Sequence, residues 1–243
     1  MVTLKVCGAT TPHHVRMLAE AGADLVGLWH GVPGGPHELP VSGVAALARA
    51  AGQTGRLRPV LVTFLSDTAA LLDVVARTGI RWLQLHAYQP PAVVRALKAG
   101  GPPDLAVVKV LHVLGGDCVE RRFVGAYARA GVDVFLLDAA TEDGRVGSTG
   151  LRLGGAAVAG LADELPRPFL LAGGVSAVRW ADDAAVARHP RFLGVDVDSG
   201  ARDPGGQLAA GRVSAIRRAW DGELVGATAG AGAGASAGVE VTA

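Results

Sequence analysis

Short apolar, β-branched runs recur along the chain with helix-like stretches between them. The runs are Val2–Val6, Asp24–Trp29, Pro59–Phe64, Trp82–Leu85, Ala106–Leu111, Val134–Leu137, Phe169–Ala172 and Leu193–Val197. Most are continuous in their apolar character rather than alternating. Alternation marks a strand with one wet face, whereas continuity marks a strand covered on both faces, as in a parallel sheet packed under helices.

The stretches between the runs carry helix signals. Thr11-Pro12 opens a first helix that closes at Ala21-Gly22, and a second runs from Ser42 to Ala51-Gly52. Ser66-Asp67 caps a third that ends near Thr78-Gly79, and Gln89-Pro90-Pro91 opens a fourth that ends at Gly100-Gly101. Side-chain caps, proline at the first helical position and glycine past the last one are the usual boundaries. Further helices are predicted over Asp117–Gly131, Leu151–Leu165, Ser176–Arg188 and Leu208–Trp220. Eight strand–helix pairs predict a single-domain (β/α)8 TIM barrel, an α/β fold, over residues 1–225. A doubly wound open sheet fits less well, because no Gly-x-Gly-x-x-Gly follows an early strand. From Gly226 the chain turns low in complexity, with almost no side chain to bury against its ordering entropy, so residues 226–243 read as a disordered tail.

Composition narrows the class. The 243 residues are 50% hydrophobic with a net charge of +1, enough for one large core and without the basic excess of a nucleic-acid binder. Cys7 and Cys118 form neither a disulfide framework nor a metal-ligand spacing. No run of 18 apolar residues is free of charges or turns, and the N-terminus lacks the basic and apolar regions of a leader. The expectation is a soluble cytoplasmic protein, monomer or homodimer, that meets neither membrane nor nucleic acid.

Barrels place their chemistry at the carboxyl ends of the strands. Here those ends read Cys7-Gly8, Trp29-His30, Phe64, His86, His112, Asp138, Gly173-Gly174 and Asp198-Ser199-Gly200. A thiol can act as a base if a positive neighbour lowers its pKa. A carboxyl leaving an apolar strand, as Asp138 leaves Leu136-Leu137, is raised by desolvation and can donate a proton. The glycine turns at Gly147–Gly150, Gly173–Gly174 and Ser199–Gly200 suit an anion, with backbone N–H groups exposed ahead of helix starts. Lys109, inside an apolar strand, needs either an anion or an ion-pair partner. His86 is a substrate contact or a satisfied core histidine, and Cys118 reads as structural.

The order of these pieces resembles the phosphoribosylanthranilate isomerase family. The matching residues are Lys5-Val6-Cys7-Gly8-Ala9-Thr10, Ala21-Gly22-Ala23-Asp24, Gln84-Leu85-His86 and Leu136-Leu137-Asp138. They continue with Gly147-Ser148-Thr149-Gly150, Leu171-Ala172-Gly173-Gly174-Val175 and Val195-Asp196-Val197-Asp198-Ser199-Gly200. The resemblance implies an Amadori rearrangement of an N-linked phosphoribosyl aromatic amine, with Asp138 as general acid and Cys7 as general base. It implies no metal and no organic cofactor. The expected substrate-binding set is His37, His86, Lys109, Gly150, Gly173, Gly174, Asp196, Asp198, Ser199 and Gly200.

Two departures bear on the substrate. His37 stands where the family carries an arginine for the substrate carboxylate, and a neutral imidazole does not replace a bidentate guanidinium; Arg202 is the candidate stand-in. Asp198 stands where the family carries a serine. Facing a phosphate ~4 Å away at an effective dielectric of ~20, it would repel by about 4 kcal/mol. A paralogue acting on a different amino sugar or a non-phosphorylated substrate, and a non-catalytic ligand-binding barrel, are the alternatives.

Overall fold

The computed structural model describes residues 1–140 and 155–231, and in it the apolar runs become a closed ring of strands. These are β1 (Thr3–Cys7), β2 (Leu25–Trp29), β3 (Arg58–Thr63), β4 (Trp82–Leu85), β5 (Ala106–Leu114), the two-residue β6 (Asp117–Cys118), β7 (Val134–Ala139), β8 (Phe169–Leu171) and β9 (Phe192–Val197). β6 runs antiparallel to β5; the other eight pair in parallel, and the β4–β5 pairing closes the barrel. Around it lie α1 (Pro12–Glu20), α2 (Val41–Gln53), α3 (Thr68–Thr78), α4 (Pro91–Gly100), α5 (Val124–Ala130), α6 (Gly155–Glu164), α7 (Trp180–Ala187) and α8 (Ala210–Ala231).

Local chemistry accounts for the helix ends. The Thr11 hydroxyl accepts from the His14 N–H at 3.1 Å, and the Asp67 carboxylate accepts from Ala69 and Ala70 at 2.9 and 3.1 Å. Both caps satisfy N–H groups that have no partner inside their helix.

The continuity of the runs follows from two apolar layers. One face of the strands, with Leu4, Val6, Leu83, Leu85, Phe135 and Leu137, packs under the helices in the main core. The other face fills the barrel, with Leu25, Trp29, Val60 and Val62 on one side and Val108, Val110, Val134 and Leu136 on the other. Among the described residues no helix is long and apolar enough to cross a membrane.

Three boundaries differ from expectation. The predicted helix over Asp117–Gly131 begins as a hairpin instead. Gly115 and Gly116 both take positive φ (58° and 92°), so β5 runs on to Leu114 and turns straight back into Asp117-Cys118. A Gly-Gly pair between extended segments is a hairpin signal, and it outweighs the capping potential of Asp117. Cys118 therefore sits on a strand, not at a helix start. A short 3-10 turn, Arg121–Phe123, precedes the helix proper. α7 starts at Trp180 rather than Ser176, because the Arg179 N–H closes a tighter turn onto the Ser176 carbonyl. α6 is described from Gly155, and the expected start at Leu151 lies outside the described residues. α8 continues past Gly226 to Ala231, and the remainder of the expected tail lies outside the described residues.

Lys109 is the clearest correction to the expected site. Its register neighbours on β4 and β7 are Leu85 and Phe135, which face the helix layer. Nζ donates to the Ala87 and Val110 carbonyls at 2.7 and 2.6 Å, stands 3.6 Å from Glu120 and lies over the Tyr127 ring. Burial lowers its pKa to about 8, against the pull of Glu120. Lys109 belongs to a buried network outside the barrel mouth.

Glu120 is the centre of that network. It accepts from His112 Nδ1 at 2.6 Å and from the His112 N–H at 2.9 Å. Burial alone would raise its carboxyl, but the His112 hydrogen bond and charge, with Lys109 close by, outweigh burial and hold it below the usual carboxylate range. A lowered carboxylate contributes stability above its unfolded pKa, about 4.3, and that stability is lost as pH falls. Glu120→Gln is expected to destabilise the fold by about 3 kcal/mol, because Lys109 loses its buried counter-charge. Urea unfolding at pH 7 and pH 4 measures this, and the difference between variant and wild type should shrink at the lower pH.

Candidate active site

Strand alternation sends Lys5 and Cys7 of β1 to the barrel interior, where the register sets Lys5 beside Asp196 of β9. Lys5 Nζ donates to Asp196 Oδ2 at 2.7 Å and lies 3.4 Å from Cys7 Sγ. Burial alone would drive the proton off Lys5; the charges of Asp196 and Cys7 outweigh it and hold the ammonium above its usual range. Trp29 of β2 donates its indole Nε1–H to the same sulfur at 3.1 Å. Gly27, between them on β2, allows this packing: a Cβ there would come within 2.5 Å of Sγ and 3.2 Å of Nζ.

The positive neighbour expected for Cys7 is present, yet the thiol is not lowered. Burial pushes it up to about 12, and Asp196 and Asp198 push the same way against Lys5 and Trp29. Cys7 therefore holds its proton at neutral pH.

Asp138, at the end of β7, is 6% exposed. Its Oδ1 accepts from the Ala139 N–H at 2.9 Å, and its Oδ2 stands 3.4 Å from His86 Nε2. His86 is held in turn by Gln84 on β4, whose amide lies 2.9 Å from Nδ1. The Asp138 charge reaches Asp196, adding to the rise that burial imposes there against the pull of Lys5. Cys7 and Asp138 thus both act on the buried Lys5–Asp196 pair. Gln84 Oε1, His86 Nε2 and Asp196 Oδ1 are buried without a hydrogen-bond partner. Buried polar atoms are rarely left so, and three at one end of a barrel mark where polar ligand groups are received.

The family model for N-(5'-phosphoribosyl)anthranilate (PRA) isomerase matches residues 4–214. A protein of Azorhizobium caulinodans named N-(5'-phosphoribosyl)anthranilate isomerase is 34% identical over 221 residues, covering 90% of this chain and 91% of its own. The chain belongs to the phosphoribosylanthranilate isomerase family. Solved structures carry the same fold. Phosphoribosyl anthranilate isomerase from Thermus thermophilus superposes with a TM-score of 0.74 at 20% identity, covering 91% of this chain and 99% of its own. A phosphoribosyl anthranilate isomerase in complex with reduced 1-(o-carboxyphenylamino)-1-deoxyribulose 5-phosphate gives 0.71 at 21% identity, over 91% of this chain and all of that one (100%).

Within this member of the phosphoribosylanthranilate isomerase family, both departures meet at Arg202. Its Nε donates to Asp198 Oδ1 at 2.7 Å, and its Nη2 reaches the Cys7 and Gly8 carbonyls at 3.3 and 3.2 Å. His37 closes on the same face of Gly8 as Arg202 and meets the Trp29 ring edge-on at 5.1 Å. Burial and the Arg202 charge lower the His37 pKa, so the imidazole is neutral at pH 7. Asp198 is therefore a paired carboxylate rather than a bare charge.

Gly173 and Gly174 both adopt positive φ (79° and 65°) after β8, and Ser199–Ala201 forms a 3-10 turn after β9. Gly200 packs directly on the Val175 carbonyl, which brings the two loops together. Gly150 lies outside the described residues, as does the rest of the Gly147–Gly150 turn. Arg179, buried beneath the first loop, donates to the Gly173 carbonyl and pairs with Asp183 at 3.1 Å.

Sequence reasoning passed over Lys5, Trp29, Gln84 and Arg179. The first and third were legible as polar residues in apolar strands at the inward-facing positions, two before Cys7 and two before His86. Nothing local distinguishes Trp29 from a core aromatic.

Proposed function

We propose that the chain isomerises N-(5'-phosphoribosyl)anthranilate to the corresponding 1-amino-1-deoxyketose, an Amadori rearrangement serving tryptophan biosynthesis in the cytoplasm. The observation that carries this reading is the placement of Cys7 and Asp138 about one buried Lys5–Asp196 pair, in a barrel of this family. Asp138 delivers a proton to the furanose ring oxygen. The C1′–O bond breaks, and the nitrogen lone pair closes a C1′=N iminium. Cys7 removes the C2′ proton, and the released electron pair forms the C1′=C2′ enolamine and neutralises the nitrogen. Tautomerisation then carries the C2′ hydroxyl to the ketone and a proton to C1′. One proton leaves Asp138 and one arrives at Cys7, so the enzyme resets by returning a proton between them through solvent.

The paired loops at Gly173–Gly174 and Ser199–Gly200 offer backbone N–H groups to the phosphate, and Arg202 offsets the Asp198 charge beside them. Arg202 is also the cation next to His37, which supports its taking the substrate carboxylate. Loss of substrate fluorescence on adding the protein tests the reading, and absence of turnover would end it. Arg202→Ala is expected to raise KM for the carboxylated substrate about tenfold to a hundredfold, the worth of a charge-assisted hydrogen bond. The N-phosphoribosyl aniline analogue, which lacks the carboxylate, should lose far less. His37 favours a second reading, a different amino sugar; equal turnover of both compounds by wild type would support it.

A further inference from the structure

We propose that Trp29 is a positioning residue for the base, its indole N–H aimed at Cys7 Sγ so as to hold the sulfur and favour its thiolate form. This rests on the reading of Cys7 as the base. An indole has one N–H, and this one lies 3.1 Å from Sγ with the ring 8% exposed. Lys5, the other donor to the sulfur, is engaged at 2.7 Å with Asp196 and stands farther off, at 3.4 Å. Trp29 is thus the closer donor and the one committed to the sulfur alone. A hydrogen bond to a neutral thiol is weak, whereas one to a thiolate is charge-assisted and about twice as strong. The contact therefore favours the reactive form over the resting one, the differential that catalysis requires.

The indole is itself held. The Trp29 carbonyl accepts from the Leu39 N–H at 2.9 Å, and the His37 ring stands against its edge. Glu38 accepts from the Gly31 and Val32 N–H groups at 2.8 and 3.0 Å, which folds the β2–α2 loop back over the strand end. Trp29 links the base to the loop that carries His37.

The test compares wild type, Trp29→Phe and a protein carrying 3-benzothienylalanine at position 29, which keeps the indole shape and lacks the N–H. Two readouts are taken. The first is the rate of Cys7 alkylation by iodoacetamide in the free protein at fixed pH, resolved by peptide mass spectrometry with Cys118 as internal reference. The second is kcat against pH. Loss of the donor is expected to slow Cys7 alkylation about tenfold, one pKa unit of thiolate. The rising limb of kcat should move to higher pH by the same amount while KM stays within about twofold. A purely structural role would move neither the limb nor the alkylation rate. Unchanged alkylation and an unchanged limb in the benzothienyl protein overturn the proposal, whether or not the phenylalanine variant folds. If wild type shows no turnover, the isomerase reading falls, while the alkylation comparison still decides the role of Trp29.

Discussion

Asp138→Asn is expected to lower kcat/KM by about three orders of magnitude, within the range for loss of a general acid, while leaving the fold intact. Asparagine has the same shape, and its carbonyl can still accept the Ala139 N–H that holds Oδ1 at 2.9 Å. What it lacks is a proton to give to the ring oxygen. Ring opening is the step that turns a stable N,O-acetal into an iminium, so every later step waits on it. The variant should therefore lose kcat and kcat/KM together, the mark of an interaction made in the transition state. Among the described residues His86 is the other proton carrier beside Asp138, with Nε2 3.4 Å from Oδ2. His86→Asn serves as the comparison. If Asp138→Asn stays within tenfold of wild type and His86→Asn loses a thousandfold, the acid is His86 and the assignment to Asp138 is wrong. Thermal unfolding of both variants checks that the losses are chemical.

The barrel was legible because each strand is buried on both faces, which leaves continuous apolar runs that a half-exposed strand would not have. Boundaries failed where two local signals competed: at Gly115-Gly116-Asp117 a hairpin turn and a helix cap share three residues. Among the candidate site residues, Cys7, Asp138 and His86 stand out in the sequence by their place at strand ends, and Asp198 by its place in a motif. Lys109 misled because its position in an apolar strand says that it needs a partner and not which face it points to. Its two neighbours decide that: Val108 and Val110 line the barrel, so Lys109 between them faces outward. The pairing of Asp198 with Arg202 spans one turn of irregular chain, and no periodicity announces such a contact. The effect of burial on Cys7 was also out of reach, since it depends on strands far apart in sequence closing around one sulfur.

Cys7→Ala is expected to cost about a thousandfold in kcat and, more tellingly, to remove most of the rise of kcat with pH. A base must be deprotonated to act, and burial pushes the Cys7 thiol up to about 12. At pH 7 an unaided thiol of that kind would be charged about once in a hundred thousand molecules. The substrate itself supplies the missing stabilisation. Ring opening places a full positive charge on the iminium next to the C2′ proton that Cys7 must take. At ~4 Å and an effective dielectric of ~20, that charge favours the thiolate by about 4 kcal/mol, or about three pKa units. That gain raises the thiolate fraction in the intermediate about a thousandfold, and for as long as Asp138 holds its proton kcat rises with pH as Cys7 ionises. The order of events follows from the same numbers: the acid step at Asp138 comes first and creates the charge that makes Cys7 a competent base. A rise of kcat with pH whose slope survives in Cys7→Ala would mean that another group takes the C2′ proton. Asp196 would be the first to examine, since its Oδ1 is buried without a partner next to the same lysine.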